Sequence, residues 1–190
     1  MGPEALAALR SRVRRTESAA RQAAASGHEQ IHILQDGTTH HYNISSIKSP
    51  EQLQDELLTL FVWVWSLKDH LKEAYKAKNP GPRLVEDAVN RCPALQYVAD
   101  IANRAKHGVL RDSRSGKFAE LVDVGFTVPQ TAITKISVGA FSVGVDVAKP
   151  EEVELHAFVK PKDAEPVDAF GILAEAIDAW EVHVIKRIAI

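Results

Sequence analysis

The sequence predicts an α+β fold of mainly helical character: a helical bundle with an N-terminal β-hairpin and a small antiparallel β insertion ahead of a C-terminal helix. Three observations carry this. Apolar residues recur at three- and four-residue steps in several stretches, an Asp36-Gly37 pair lies between two β-prone runs, and alternating β-rich sequence fills about 117–160. With 190 residues, 45% of them hydrophobic and 25% charged, one domain over 1–190 can bury its own core.

Taken in order, Pro3 to about Ala25 reads as an amphipathic helix. Leu6, Leu9, Val13 and Ala20 share a stripe, and Arg10, Arg12, Arg14, Arg15 and Arg21 lie elsewhere. His28–Gln35 and Thr38–Ile44 read as hairpin strands around Asp36-Gly37, which as a two-residue loop would set His32 opposite His41. Ser49-Pro50-Glu51 opens a long helix, and Leu53, Leu57, Leu60, Val64, Leu67 and Leu71 carry it to about Ala77. Its middle, Phe61-Val62-Trp63-Val64-Trp65, is apolar all round, so the helix is either central or faces a second subunit; a homodimer is expected. Asn79-Pro80-Gly81-Pro82 breaks it. A short helix over Leu84–Asn90 follows, and Pro93 starts another from Ala94 to about Leu110. Strands are expected at Phe118–Thr127, Ile133–Val147 and Val153–Val159, and the helix at Pro166–Ile188 repeats Phe170, Leu173, Ile177, Trp180 and Val184 at helical steps.

Composition narrows the function classes. A formal net charge of −2 gives no global attraction to nucleic acid or an anionic membrane, so any such contact would come from a local patch. The single Cys92 excludes an intramolecular disulfide and a Cys-based zinc site, which fits a reducing, cytoplasmic setting. No apolar run approaches the roughly 18–20 residues of a membrane span, and Met1-Gly2-Pro3-Glu4 lacks signal-peptide order, so no membrane partner is expected. There is no phosphate-binding glycine loop and no Gly-x-Ser-x-Gly elbow, and Cys92 has no cue to a His partner.

One stretch concentrates polar chemistry. Asp100 and Asn103 are three apart, Asn103 and His107 four apart, so all three project from one side of the predicted helix. Such a row either fixes bundle packing by hydrogen bonds or forms a site.

Leu67-Lys68-Asp69-His70 together with Asp100, Asn103 and His107 resembles the all-helical HEPN superfamily over roughly Pro50–Leu110. The resemblance implies a dimeric bundle whose last long helix carries the active residues, and a metal-independent ribonuclease in a stress, toxin or defence setting. His107 takes the place of the family His and Asn103 that of the polar residue before it, with Asp100 and Asp69 orienting them. The family Arg falls on Ala102, which cannot position a phosphate, and Arg104 is turned about 200° away on a helix. A replacement cation would come from Lys68, Lys106, Arg104 of a second subunit or Arg111 in the following loop, the residues expected to contact RNA; His107 would act as acid or base on a 2′-hydroxyl without any cofactor. The competing expectation is a non-catalytic, dimeric interaction module in which the polar row is structural and the β-region recruits a protein partner.

Two weaker signals remain. His32 and His41 could bind zinc as a cross-strand pair, but no Cys or fixed-spacing carboxylate accompanies them, and an exposed strand face is preferred; no metal site is expected. The arginines of the first helix with Arg104, Lys106, Arg111, Arg114 and Lys117 could form a phosphate-binding surface, although a solvated face is preferred.

Overall fold

The computed structural model describes residues 3–76 and 81–186. The chain is α+β, with α1 (Pro3–Ala20), β1 (Ala24–Ile33), β2 (Thr39–Ile47), α2 (Pro50–Ala74), α3 (Gly81–Arg91), α4 (Pro93–His107), β3 (Glu120–Thr127), β4 (Ile133–Val138), β5 (Ser142–Val147), β6 (Glu154–Lys160), β7 (Val167–Asp168) and α5 (Ala169–Trp180). A π-helical turn at Glu181–Ile185 continues α5. Two sheets, ordered β1-β2-β5-β4 and β3-β6-β7, hold the seven strands. A chain with two sheets is not the all-helical bundle of the HEPN superfamily, and the resemblance fails on this point.

Local chemistry sets most element ends. Ser49 Oγ accepts from the Gln52 N–H at 3.1 Å and Pro50 occupies the first helical position, so α2 starts where expected. Asp168 caps α5 by accepting from the Gly171 N–H at 2.7 Å, which starts that helix after Pro166 rather than at it. Gly108, at φ 73°, ends α4 at His107, short of the expected Leu110, and returns its N–H to the Arg104 carbonyl. The expected ends at Ala77 and Ile188 and the Asn79-Pro80 part of the break lie outside the described residues.

The chain forms two compact units: Met1–Ala19, Asp55–Asp123 and Ala157–Ile190 make the first, Ala20–Gln54 and Val124–His156 the second. The first is a helical core. Leu57, Phe61, Leu95, Ile101, Leu173 and Trp180 are fully buried in it, each contributing roughly 1.5–3 kcal/mol through lost apolar surface. The Trp180 indole N–H donates to the Val64 carbonyl at 3.1 Å, satisfying the one polar atom that this large side chain brings inside. Phe61, Val64 and Trp65 are buried in the core of this unit and the Arg12 guanidinium lies 4.5 Å from the Trp63 ring centre, so most of the all-round apolar stretch of α2 is covered by the chain itself.

In the second unit the N-terminal hairpin and the later β-segment form one sheet instead of two separate decorations. The expected strand Ile133–Val147 folds at Gly139–Phe141 into the β4–β5 hairpin, and β5 runs parallel to β2 with His41 beside Ser142 and Ile44 beside Val145. The sheet is therefore mixed, not antiparallel throughout. Ile47, Val147, Ala23, Ala132 and Val153 form its small buried core, with Ile44, Val145 and Phe126 packed against it.

The hairpin register also departs from expectation. The turn carries three residues, Gln35-Asp36-Gly37, between Leu34 and Thr38, with Gly37 at φ 83° and the Thr38 N–H donating to Asp36 Oδ1 at 2.9 Å. His32 thus pairs with His40, while His41 pairs with Ile31. Residues paired across strands share a face, so His32 and His41 lie on opposite sides of the sheet and the expected imidazole pair does not form.

Candidate functional site

The polar row of α4 divides into two environments within the first unit. Asp100 is fully buried. Its carboxylate accepts from Ser113 Oγ at 2.7 Å, Ser115 Oγ at 2.6 Å, the Arg114 N–H at 2.7 Å and the Ala119 N–H at 3.3 Å. Four donors around one buried carboxyl group satisfy its oxygens, and they wrap the 113–119 loop onto the helix. Asn103 and His107 instead line an open pocket of about 590 Å³ with Val109, Leu110, Arg111 and Asp112. Arg111 is the one expected cation that joins them.

The remaining expected residues lie elsewhere. Asp69 is exposed on α2 and is not part of that pocket lining. Arg104 points its Nη1 to Glu120 at 3.7 Å and leaves Nε buried without a partner, and Lys106 is exposed. Lys68 sits 4.6 Å from the Trp65 ring centre and 3.9 Å from Glu86. Some of the basic residues considered for a phosphate surface face acids: Arg10 and Arg14 share Glu181, and Arg114, 2.6 Å from Glu86, shares that carboxylate with Lys68 and Lys72.

Sequence reasoning missed a second pocket in this unit, about 140 Å³ in volume, where the π-helical turn brings His183 to Cys92, Asp87 and Arg91. No local pattern links positions so far apart in the chain. Burial and the neighbouring Glu175 carboxylate, to which Sγ donates at 3.8 Å, push the Cys92 thiol above its ordinary range. A thiol held protonated is in the wrong state for nucleophilic attack. Among the described residues no group of three or more His, Cys, Asp or Glu side chains could hold a metal ion, and no helix is long and apolar enough to cross a membrane.

The second unit carries an exposed apolar surface on its sheet. One face of its sheet packs on the small core as far as Ile44 and Val145. Beyond them the same face continues as His32, His40, Tyr42, Val143, Val138 and Phe141, with Val138 78% exposed, Phe141 58% and the neighbouring Ile136 59%. The His32 ring meets Tyr42 edge-on at 5.2 Å and His40 meets Phe141 at 6.0 Å. The opposite face carries Glu29, Lys135 and Asp146 together with the exposed Ile31 and Ile33; His41 Nδ1 lies 2.6 Å from Glu29, and Lys135 is the register neighbour of Asp146 across β4 and β5.

No protein-family model, curated protein or solved structure matches the chain. The HEPN resemblance is thus without support from either fold or family.

Proposed function

We propose that the chain is a non-catalytic, homodimeric interaction module and that a second copy covers the uncovered half of the four-stranded sheet. The observation that carries this reading is the face that runs past the end of its own core. On it the strands contribute no Asp, Glu, Lys or Arg, whereas the reverse face bears Glu29, Lys135 and Asp146. Depletion of charge with aromatic enrichment is the composition of an interface centre.

A second copy fits because the face is self-complementary. Its β1–β2 half presents His32, His40 and Tyr42, and its β5–β4 half presents Val143, Val138 and Ile136. A twofold axis along the strands stacks β1 on β4 of the other copy and β2 on β5, bringing each ring-bearing half against an aliphatic half. Stacking suits this sheet better than extension by a further strand. Of its two edge strands, β4 is only six residues long, contains Lys135 and has a register shift at Ile133–Lys135, and β1 contains Glu29 and has a register shift between Ala24 and Gly27, features that discourage edge pairing.

Sedimentation equilibrium of the whole chain tests the proposal. Wild type is expected at twice the chain mass, Val138→Lys at the chain mass, and Ile33→Lys on the charged face at twice the chain mass. A monomeric wild type, or a Val138→Lys variant that stays dimeric, overturns it.

A further inference from the structure

In the first unit three cations converge on one carboxylate. Glu86 of α3 is held by Lys72, which contacts Oε1, by Lys68, whose Nζ is 3.9 Å from the same oxygen, and by Arg114, whose Nη2 is 2.6 Å from Oε2. The same Nη2 donates to Asn90 Oδ1 at 3.0 Å, so both of these Arg114 bonds leave from one corner of the guanidinium. Burial alone would raise the Glu86 carboxyl, but hydrogen bonds from Lys72 and Arg114 and the charge of Lys68 hold it below the ordinary value.

The surplus of charge is the informative quantity. Three cations against one carboxylate leave two positive charges uncompensated at partly shielded positions, where like charges repel more than in bulk water. Lys68 and Lys72 are four apart on α2, so the helix holds their stems side by side. Arg114 is fixed from behind, because its own N–H is one of the four donors anchored on buried Asp100. Two preset lysines and a guanidinium fork engaged at one corner suit the tetrahedral oxygens of a phosphate.

We propose that Lys68, Lys72 and Arg114 form a binding site for a dianionic phosphate group, free phosphate or a phosphomonoester, in which Glu86 is the built-in competitor for the same cations. The surplus of two charges matches a dianion rather than the single charge of a phosphodiester. This site is independent of the dimer face and stands or falls separately from it.

Isothermal titration of the whole chain at fixed ionic strength tests the site, with inorganic phosphate, glycerol 2-phosphate and an oligonucleotide lacking a terminal phosphate as probes. Inorganic phosphate should bind saturably at one site per chain. Glu86→Gln, which removes the competing charge, should bind it at least about tenfold more tightly, since charge-assisted bonds to three cations become available. Lys72→Met should abolish saturable binding. A gain of affinity cannot come from unfolding, so Glu86→Gln guards against a variant that merely fails to fold. Tighter binding of glycerol 2-phosphate than of inorganic phosphate assigns the site to a phosphomonoester, and the reverse assigns it to free phosphate. The proposal is overturned if neither wild type nor Glu86→Gln shows saturable phosphate binding, if Glu86→Gln binds no more tightly, or if the oligonucleotide binds better than either monoester or phosphate.

Discussion

Asp100 Oδ2 accepts from Ser113 Oγ at 2.7 Å, and that contact joins the fully buried side chain of α4 to a loop that looks from its sequence like a solvated charged connector. Ser113 Oγ in turn accepts from the Phe118 N–H at 3.0 Å, so the carboxylate organises both sides of the loop. A polar residue with the look of a catalytic group is a structural anchor.

Asp100→Ala should therefore destabilise the first unit by about 3 kcal/mol, since it strands several buried donors at once. Asn103→Ala and His107→Ala, at the rim of an open pocket, should each change stability by less than about 1 kcal/mol. Urea unfolding of the three variants measures the contrast. Equal losses in all three would mean that the row acts as one network.

Acid should weaken the α2–α3–loop junction. Glu86 has a folded pKa below its ordinary 4.5, so its contribution is complete above that value and is lost as pH falls through the lower folded value. Thermal unfolding between neutral pH and about pH 3 should show a drop in wild type that is smaller in Glu86→Gln. Parallel curves for the two proteins would remove Glu86 from the account.

Gly27 holds the start of the β1–β2 ladder. It sits at φ 95° beside the register shift between Ala24 and Gly27, and a Cβ there would come within 2.7 Å of the Ile44 carbonyl oxygen. Gly27→Ala should cost roughly 1–3 kcal/mol through both strain and collision. The check is a chemical melt followed by far-ultraviolet circular dichroism; an unchanged midpoint would show that the ladder adjusts freely.

Legibility follows the range of the interactions. The five helices, the hairpin and the β-rich segment are readable because Leu53–Leu71, Asp36-Gly37 and Pro93 act over a few residues. The register of His32 is not, because an Asp-Gly pair serves both two- and three-residue turns and one extra residue moves a side chain to the other face. The parallel pairing of Ile44 with Val145 is also invisible, since strand periodicity says nothing about which distant strand will be the neighbour. At the α4 site, spacing places Asp100, Asn103 and His107 on one side of the helix but cannot tell which of them is buried. The partners that decide it, Ser113 and Ser115, come from a loop without periodicity.

Gln30 lies on the uncharged sheet face in one register line with Tyr42, Val143 and Val138, so stacking two copies with β4 against β1 in the proposed dimer places Val138 opposite Gln30 of the other copy. A charge-exchange experiment tests this most directly, by measuring the mass in solution of Val138→Lys alone, Gln30→Glu alone and an equimolar mixture. Each variant alone should be monomeric, because an unpaired charge would be buried at the interface. The mixture should return to twice the chain mass, since the lysine introduced in one copy then meets the glutamate introduced in the other. Dimers in either variant alone, or a mixture that stays monomeric, would contradict the stacked arrangement.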